Sequence, residues 1–161
     1  MKMIKNSLIL LVALFFACQA NAQEVLPLIP KPLKAAKQTG SFMLSQQTQI
    51  MANGELKQPA QYLQAELLRY QGLSVRTADK ATENYISLTL VNSRGKKNAA
   101  WYQLAISPNK IEIKATQPEG LFAGISSLLQ LVRQQSVNKK GVELASWEIE
   151  DEPIYAWRGL M

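Results

Sequence analysis

Three segments alternate apolar and polar residues with a period of two, and this constrains the chain more than any other feature. In residues 85–91, Ile86, Leu88 and Leu90 fall on one side. In residues 102–106, Tyr102, Leu104 and Ile106 do the same, and residues 111–115 repeat the pattern. Strands of this kind bury one face only, so they predict a sheet with one covered and one wetted side. The cover is legible as well. Ala60, Leu63, Leu67 and Tyr70 recur at helical spacing, as do Leu121, Ile125, Leu128 and Val132, with Phe122 and Leu129 widening the second stripe. The first helix is expected from about Leu56 or Pro59 to Gln71. Pro59 suits a first turn, where its missing N–H is no loss, and Gly72 suits a left-handed stop. The second helix starts near Pro118 and, being more apolar, is expected to be almost enclosed.

Shorter strands are expected over residues 34–38, 42–44 and 49–51, with turns at Gly40 and Asn53-Gly54. Pro108-Asn109-Lys110 reads as a turn, and residues 142–149 give a last strand. The order strands, helix, strands, helix, strand specifies an α+β unit over residues 23–149. Its sheet is antiparallel or mixed, and two helices pack on one face.

The first 22 residues read as a signal peptide. Lys2 and Lys5 supply charge, residues 8–17 are apolar, and Ala20-Asn21-Ala22 offers a small-x-small cleavage site. The apolar run is shorter than the about 20 residues that cross a bilayer, so no transmembrane segment is expected. This predicts an exported protein, periplasmic or extracellular, with a mature chain of 139 residues (161 − 22) starting at Gln23. The single cysteine, Cys18, lies inside the leader. The rival reading is a lipoprotein anchored through Cys18; otherwise the mature chain can form no disulfide.

The formal charge of +6 falls to +4 without Lys2 and Lys5, with 18 − 2 basic against 12 acidic residues. The basic residues are scattered, not striped, which argues against nucleic acid as a partner. There is no histidine, which removes the commonest general base and zinc ligand. No metal-ligand spacing, phosphate-binding glycine loop or nucleophile elbow occurs, so no metal or cofactor is expected.

After residue 149 the character changes. Residues 150–154, opening Glu150-Asp151-Glu152-Pro153, read as an acidic interdomain linker. Residues 155–161 then read as an apolar strand with Arg158 inside it. A strand with no neighbour leaves its N–H and C=O groups open, so a second domain is expected to begin here.

These residues carry a resemblance. Glu150-Asp151-Glu152-Pro153 followed by Trp157-Arg158-Gly159-Leu160-Met161 resembles the entry to the catalytic barrel of glycoside hydrolase family 20, the β-N-acetylhexosaminidases. Residues 118–131, opening Pro118-Glu119-Gly120-Leu121, are similar to the second helix of the small domain that precedes the barrel. Ile29-Pro30-Lys31-Pro32 followed by Gly40-Ser41-Phe42-Met43-Leu44 resembles that domain's opening.

The resemblance implies that residues 155–161 are the first strand of a (β/α)8 barrel, truncated here, since such barrels take about 250 residues. It implies hydrolysis of terminal non-reducing N-acetylhexosamine from a glycan by substrate assistance. The 2-acetamido oxygen attacks the anomeric carbon, a Glu protonates the leaving oxygen, and the preceding Asp orients the acetamido group. That is an exception to the two-carboxylate scheme. The Asp-Glu pair is expected outside this chain, leaving no catalytic residue in it. The chain alone is then an inactive accessory domain whose intramolecular partner is the missing catalytic barrel. The alternative is a stand-alone secreted module that binds glycan or protein without enzymatic activity.

Arg158 has two readings. From the residues alone it is a strand-end cation pairing with an acid; the resemblance makes it a substrate-binding residue, donating to sugar hydroxyls with its planar fork. Glu150, Asp151 and Glu152 are consecutive and read as solvated linker, not as carboxyls fixed across a scissile bond. Trp101, Tyr102, Trp147, Tyr155 and Trp157 could form a sugar-stacking platform, but aromatics on alternating strands are more often packing. Trp147 and Trp157 are the expected packing at a domain junction. Gly120 and Gly124 are expected to let the second helix approach the sheet closely.

Overall fold

The computed structural model describes residues 26–92 and 98–152. Seven strands and two helices follow one another as β1 (Lys34–Leu44), β2 (Gln49–Met51), α1 (Lys57–Gln71), β3 (Arg76–Ala78), β4 (Tyr85–Leu90), β5 (Tyr102–Ser107), β6 (Lys110–Ala115), α2 (Pro118–Arg133) and β7 (Val142–Asp151). The strands form one sheet in the order β1-β7-β5-β6-β4-β2-β3. β7 pairs antiparallel with β1 and β5, and β5 with β6. β4 pairs parallel with β6 and with β2, and β2 with β3. The sheet is therefore mixed. The parallel pair β2–β3 needs a crossover, and α1 supplies it. The antiparallel pair β5–β6 closes through the Pro108-Asn109 turn.

The alternating residues fall as expected. Leu104, Ile111, Ile113 and Ala115 are fully buried on the covered face, and Ile86 joins them. The helices lie side by side over that face. Leu63 and Leu67 of α1 and Leu121, Ile125 and Leu128 of α2 belong to the same core. α1 stops at Gly72, whose φ of 66° is left-handed and whose N–H reaches the carbonyls of Leu67 and Leu68. α2 starts with Pro118 in its first turn. It then lies on the sheet through glycines, as expected. A Cβ on Gly120 would meet the Trp101 carbonyl oxygen and stand 2.9 Å from Ala115 Cβ; one on Gly124 would stand 2.6 Å from Ile113 Cγ2.

Several expectations are corrected. Residues 34–38 and 42–44 are not two strands separated by a turn at Gly40 but one continuous strand, with its register to β7 shifted between Lys37 and Ser41. Gly40 makes a bulge there: its φ is +95°, and Pro108 Cγ lies 2.8 Å from where a Cβ would sit. β3 is absent from the sequence reading because it has three residues, two of them exposed, and no alternation to see. Tyr70 is not in the buried stripe of α1. It is 45 % exposed, with the Arg133 guanidinium 3.6 Å from its ring centroid. β7 runs two residues beyond Ile149, so Glu150 and Asp151 belong to a strand and not to the linker.

Gly120→Ala should destabilise the fold by about 1–3 kcal/mol, the usual cost of forcing extra volume into a packed contact. The check is a lower urea midpoint with an unchanged slope.

Candidate functional site

The end of the sheet where β1 enters and β7 leaves gathers most of the polar side chains singled out in the sequence. Lys34 lies opposite Glu150 in the register. Glu150 accepts from Lys34 Nζ at 3.2 Å through Oε2 and from the buried Trp101 Nε1 at 3.0 Å through Oε1. Asp151 Oδ1 accepts from the Leu33 N–H at 3.1 Å. These carboxylates each serve donors fixed by the fold, so they close a corner of the domain. They are not arranged as an acid and a base across a reacting bond. Among the described residues no group of three or more His, Cys, Asp or Glu could hold a metal.

Tyr102 sits beside this corner, opposite Asp151 across the β5–β7 pair. Its hydroxyl lies 2.7 Å from Ser127 Oγ on α2. Burial pushes the phenol above its usual range, the Ser127 hydrogen bond opposes this, and the Asp151 carboxylate adds to it. Trp101 and Tyr102 are only 4 % and 3 % exposed. Trp147 is buried too and belongs to the core of this unit. None of these three can stack on a sugar. Tyr155, Trp157 and Arg158 lie outside the described residues, as do Cys18 and the leader.

The two faces of the domain differ. The open face of the sheet carries Lys34, Glu150, Gln103 and Lys114 in one row and Glu148, Ala105 and Glu112 in the next. Glu112 there pairs with Lys110 at 3.1 Å and Lys114 at 3.7 Å. The solvent side of the helices is mixed: Lys57, Gln58, Gln61, Arg69, Glu119, Ser126 and Arg133 are exposed there beside a few apolar side chains. Tyr62 packs edge-on against Phe122, ring centroids 5.7 Å apart, joining α1 to α2. Tyr62 and Leu68 remain exposed. Tyr62 and Leu68 were legible as apolar residues off the buried stripe of α1, a signal the sequence reading did not use.

The described residues form a small α+β unit, and the comparisons say which family it comes from. The family model described as glycosyl hydrolase family 20, domain 2, matches residues 25–152. The chain belongs to glycoside hydrolase family 20. It is 26 % identical over 160 residues to a β-hexosaminidase of Porphyromonas gingivalis, covering 90 % of this chain and 20 % of that protein. It is 29 % identical over 133 residues to a β-hexosaminidase of Vibrio vulnificus, covering 83 % and 14 %. The solved structure of Streptomyces plicatus N-acetyl-β-hexosaminidase superposes with a TM-score of 0.69 at 26 % identity, over 81 % of this chain and 27 % of that one. The chain thus spans between 14 % and 20 % of the length of these two curated relatives. What matches is the part of the family described as domain 2.

The raised Tyr102 value has a testable consequence. Its contribution to stability is complete below the unfolded phenol value near about 10 and is lost as pH rises through the higher folded value. Tyr102→Phe should therefore flatten the alkaline fall in stability, while costing about 1 kcal/mol at pH 7 through the lost Ser127 hydrogen bond. Urea unfolding of both proteins at pH 7 and above pH 10 measures it.

Proposed function

We propose that this chain is the N-terminal accessory domain of an exported β-N-acetylhexosaminidase. The whole protein removes terminal non-reducing N-acetylhexosamine from glycans by substrate-assisted hydrolysis. The observation that carries the reading is the match of residues 25–152 to the second domain of family 20, in a chain that spans a small share of relatives called β-hexosaminidases. Export rests on the leader pattern of the first 22 residues, with cleavage after Ala22.

In this reading the domain does no chemistry. It supports a (β/α)8 catalytic barrel, which the exposed Tyr62 and Leu68 of α1, with Phe122 of α2 beside Tyr62, would meet. The charged open face of the sheet stays in water. Arg158 belongs to the first barrel strand and donates to hydroxyls of the terminal sugar. The acid and the acetamido-orienting Asp come from the barrel, so the chain by itself has no turnover.

Two assays with a chromogenic N-acetyl-β-glucosaminide test this. The purified chain should release no chromophore, whereas the protein that carries it should. Turnover by the chain alone would contradict the accessory role. In the active protein, Arg158→Lys should lower kcat/KM on the order of 10- to 100-fold, the loss of charge-assisted hydrogen bonds worth about 1.5–3 kcal/mol. An unchanged kcat/KM would remove Arg158 from the sugar site.

A further inference from the structure

The turn that leads from β2 into α1 holds the one asparagine of the chain that precedes a glycine, Asn53-Gly54. Both residues are exposed. Asn53 is extended, with φ −108° and ψ 148°, and opens a short 3-10 turn, Gly54–Leu56, that runs on into α1. An asparagine at such a position usually spends its side-chain oxygen on the N–H groups that follow it. Asn53 makes no such bond, and nothing among the described residues holds its carboxamide. Gly54 is the first residue of the turn, so its own N–H has no acceptor within it. Its φ of +55° is left-handed, and a Cβ added there would meet nothing within 4 Å. No side chain therefore shields the Gly54 nitrogen from Asn53 Cγ.

The other asparagines of the described residues are placed differently. Asn84 Oδ1 accepts from Thr48 Oγ1 at 2.7 Å, and Asn98 Oδ1 from the Ala100 N–H at 3.2 Å. Asn138 Oδ1 accepts from the Lys140 and Gly141 N–H groups at 2.7 and 3.1 Å. These three precede Tyr85, Ala99 and Lys139, and Asn92 and Asn109 precede Ser93 and Lys110. Every one of those following residues carries a Cβ.

We propose that Asn53-Gly54 is a site of spontaneous deamidation through a cyclic imide. The Gly54 nitrogen loses its proton and attacks Asn53 Cγ, closing a five-membered ring. The Cγ–Nδ2 bond breaks, and ammonia leaves with the proton. Water then adds to one of the two ring carbonyl carbons, and the bond from that carbon to nitrogen breaks. Opening at Cγ gives aspartate. Opening at the main-chain carbon gives isoaspartate, in which the backbone runs through the former side chain. One water is consumed and one ammonia released, with nothing oxidised or reduced. Either product puts a carboxylate where a neutral amide stood. Isoaspartate also adds a methylene to the backbone of the turn, which the Leu56 N–H closes on the Asn53 carbonyl at 3.0 Å. Leu56 is buried in the core at the entry to α1, so the reaction is a slow, irreversible clock set on that entry. The inference rests on residues of this chain alone and not on the enzymatic reading.

Incubation of the full 161-residue chain in mildly alkaline buffer, followed by digestion and peptide mass spectrometry, tests it. Isoaspartate is scored separately by enzymatic methylation with a protein isoaspartyl methyltransferase. Asn53 should gain one mass unit on the order of tenfold faster, or more, than Asn84, Asn98, Asn109 and Asn138, because only its neighbour lacks a Cβ. The product should contain both aspartate and isoaspartate. Asn53→Gln, at an exposed position where far-ultraviolet dichroism verifies the fold, should remove most of the isoaspartate. A rate at Asn53 less than tenfold above the next asparagine would overturn the proposal. So would aspartate without isoaspartate, the mark of direct hydrolysis with no ring, or isoaspartate persisting at half or more of its level in Asn53→Gln.

Discussion

The contact between α2 and the sheet carries the rest of this domain. Gly120 and Gly124 bring the helix against the Trp101 carbonyl and against Ile113 and Ala115, closer than any side chain would allow. From that seating Leu121, Ile125 and Leu128 fill the space over β4, β5 and β6. Everything else refers back to α2. α1 leans on it through Tyr62–Phe122 and through Arg133, whose Nη2 lies 2.8 Å from Glu66 Oε2. The strap before β1 is tied to it through Gln130 and Gln134. Gln71 Nε2 at the end of α1 donates to the carbonyl of Val132.

This arrangement produces a domain with two unlike sides. The sheet presents charged and small polar residues to water. The helices present Tyr62 and Leu68 among charged and polar residues such as Lys57, Gln61, Arg69 and Arg133 on the side away from the sheet. The chain belongs to family 20 and spans 14 % to 20 % of the length of the two β-hexosaminidases it matches. The polar residues at the corner of β1 and β7 are then best understood as the hinge-post of the layer. Glu150 and Asp151 spend their lone pairs on Lys34, Trp101 and Leu33 and so hold the entry and exit of the chain together.

Much of the fold was legible because its periodicities are clean. The strand residues from Ile86 to Ala115 alternate without a break, and α2 has a stripe wide enough to demand a cover on the sheet. What was missed follows from local rules being overridden by neighbours. Gly40 looks like a turn, but β7 runs alongside and pairs on both sides of it, so the glycine becomes a bulge. Tyr70 fits the stripe of α1 by spacing, yet it lies in the last turn of the helix, half-exposed, with the Arg133 guanidinium over its ring. Glu150 and Asp151 looked like linker because acids next to a proline are usually solvated; buried Trp101 and the strap's backbone N–H needed acceptors. Arg158 was an expectation from the resemblance alone, since by itself it carries no pattern that distinguishes a sugar contact from an ion pair, and it lies outside the described residues.

Amide hydrogen exchange of the full chain tests the central role of α2 most directly. If the glycine-seated helix is what the domain depends on, the amides of Leu121 to Leu131 should open only with the whole molecule. Their exchange free energies should then equal the global unfolding free energy and match those of β5 and β6. Exchange of α2 through a local opening well below the global value, with the sheet still protected, would contradict the account.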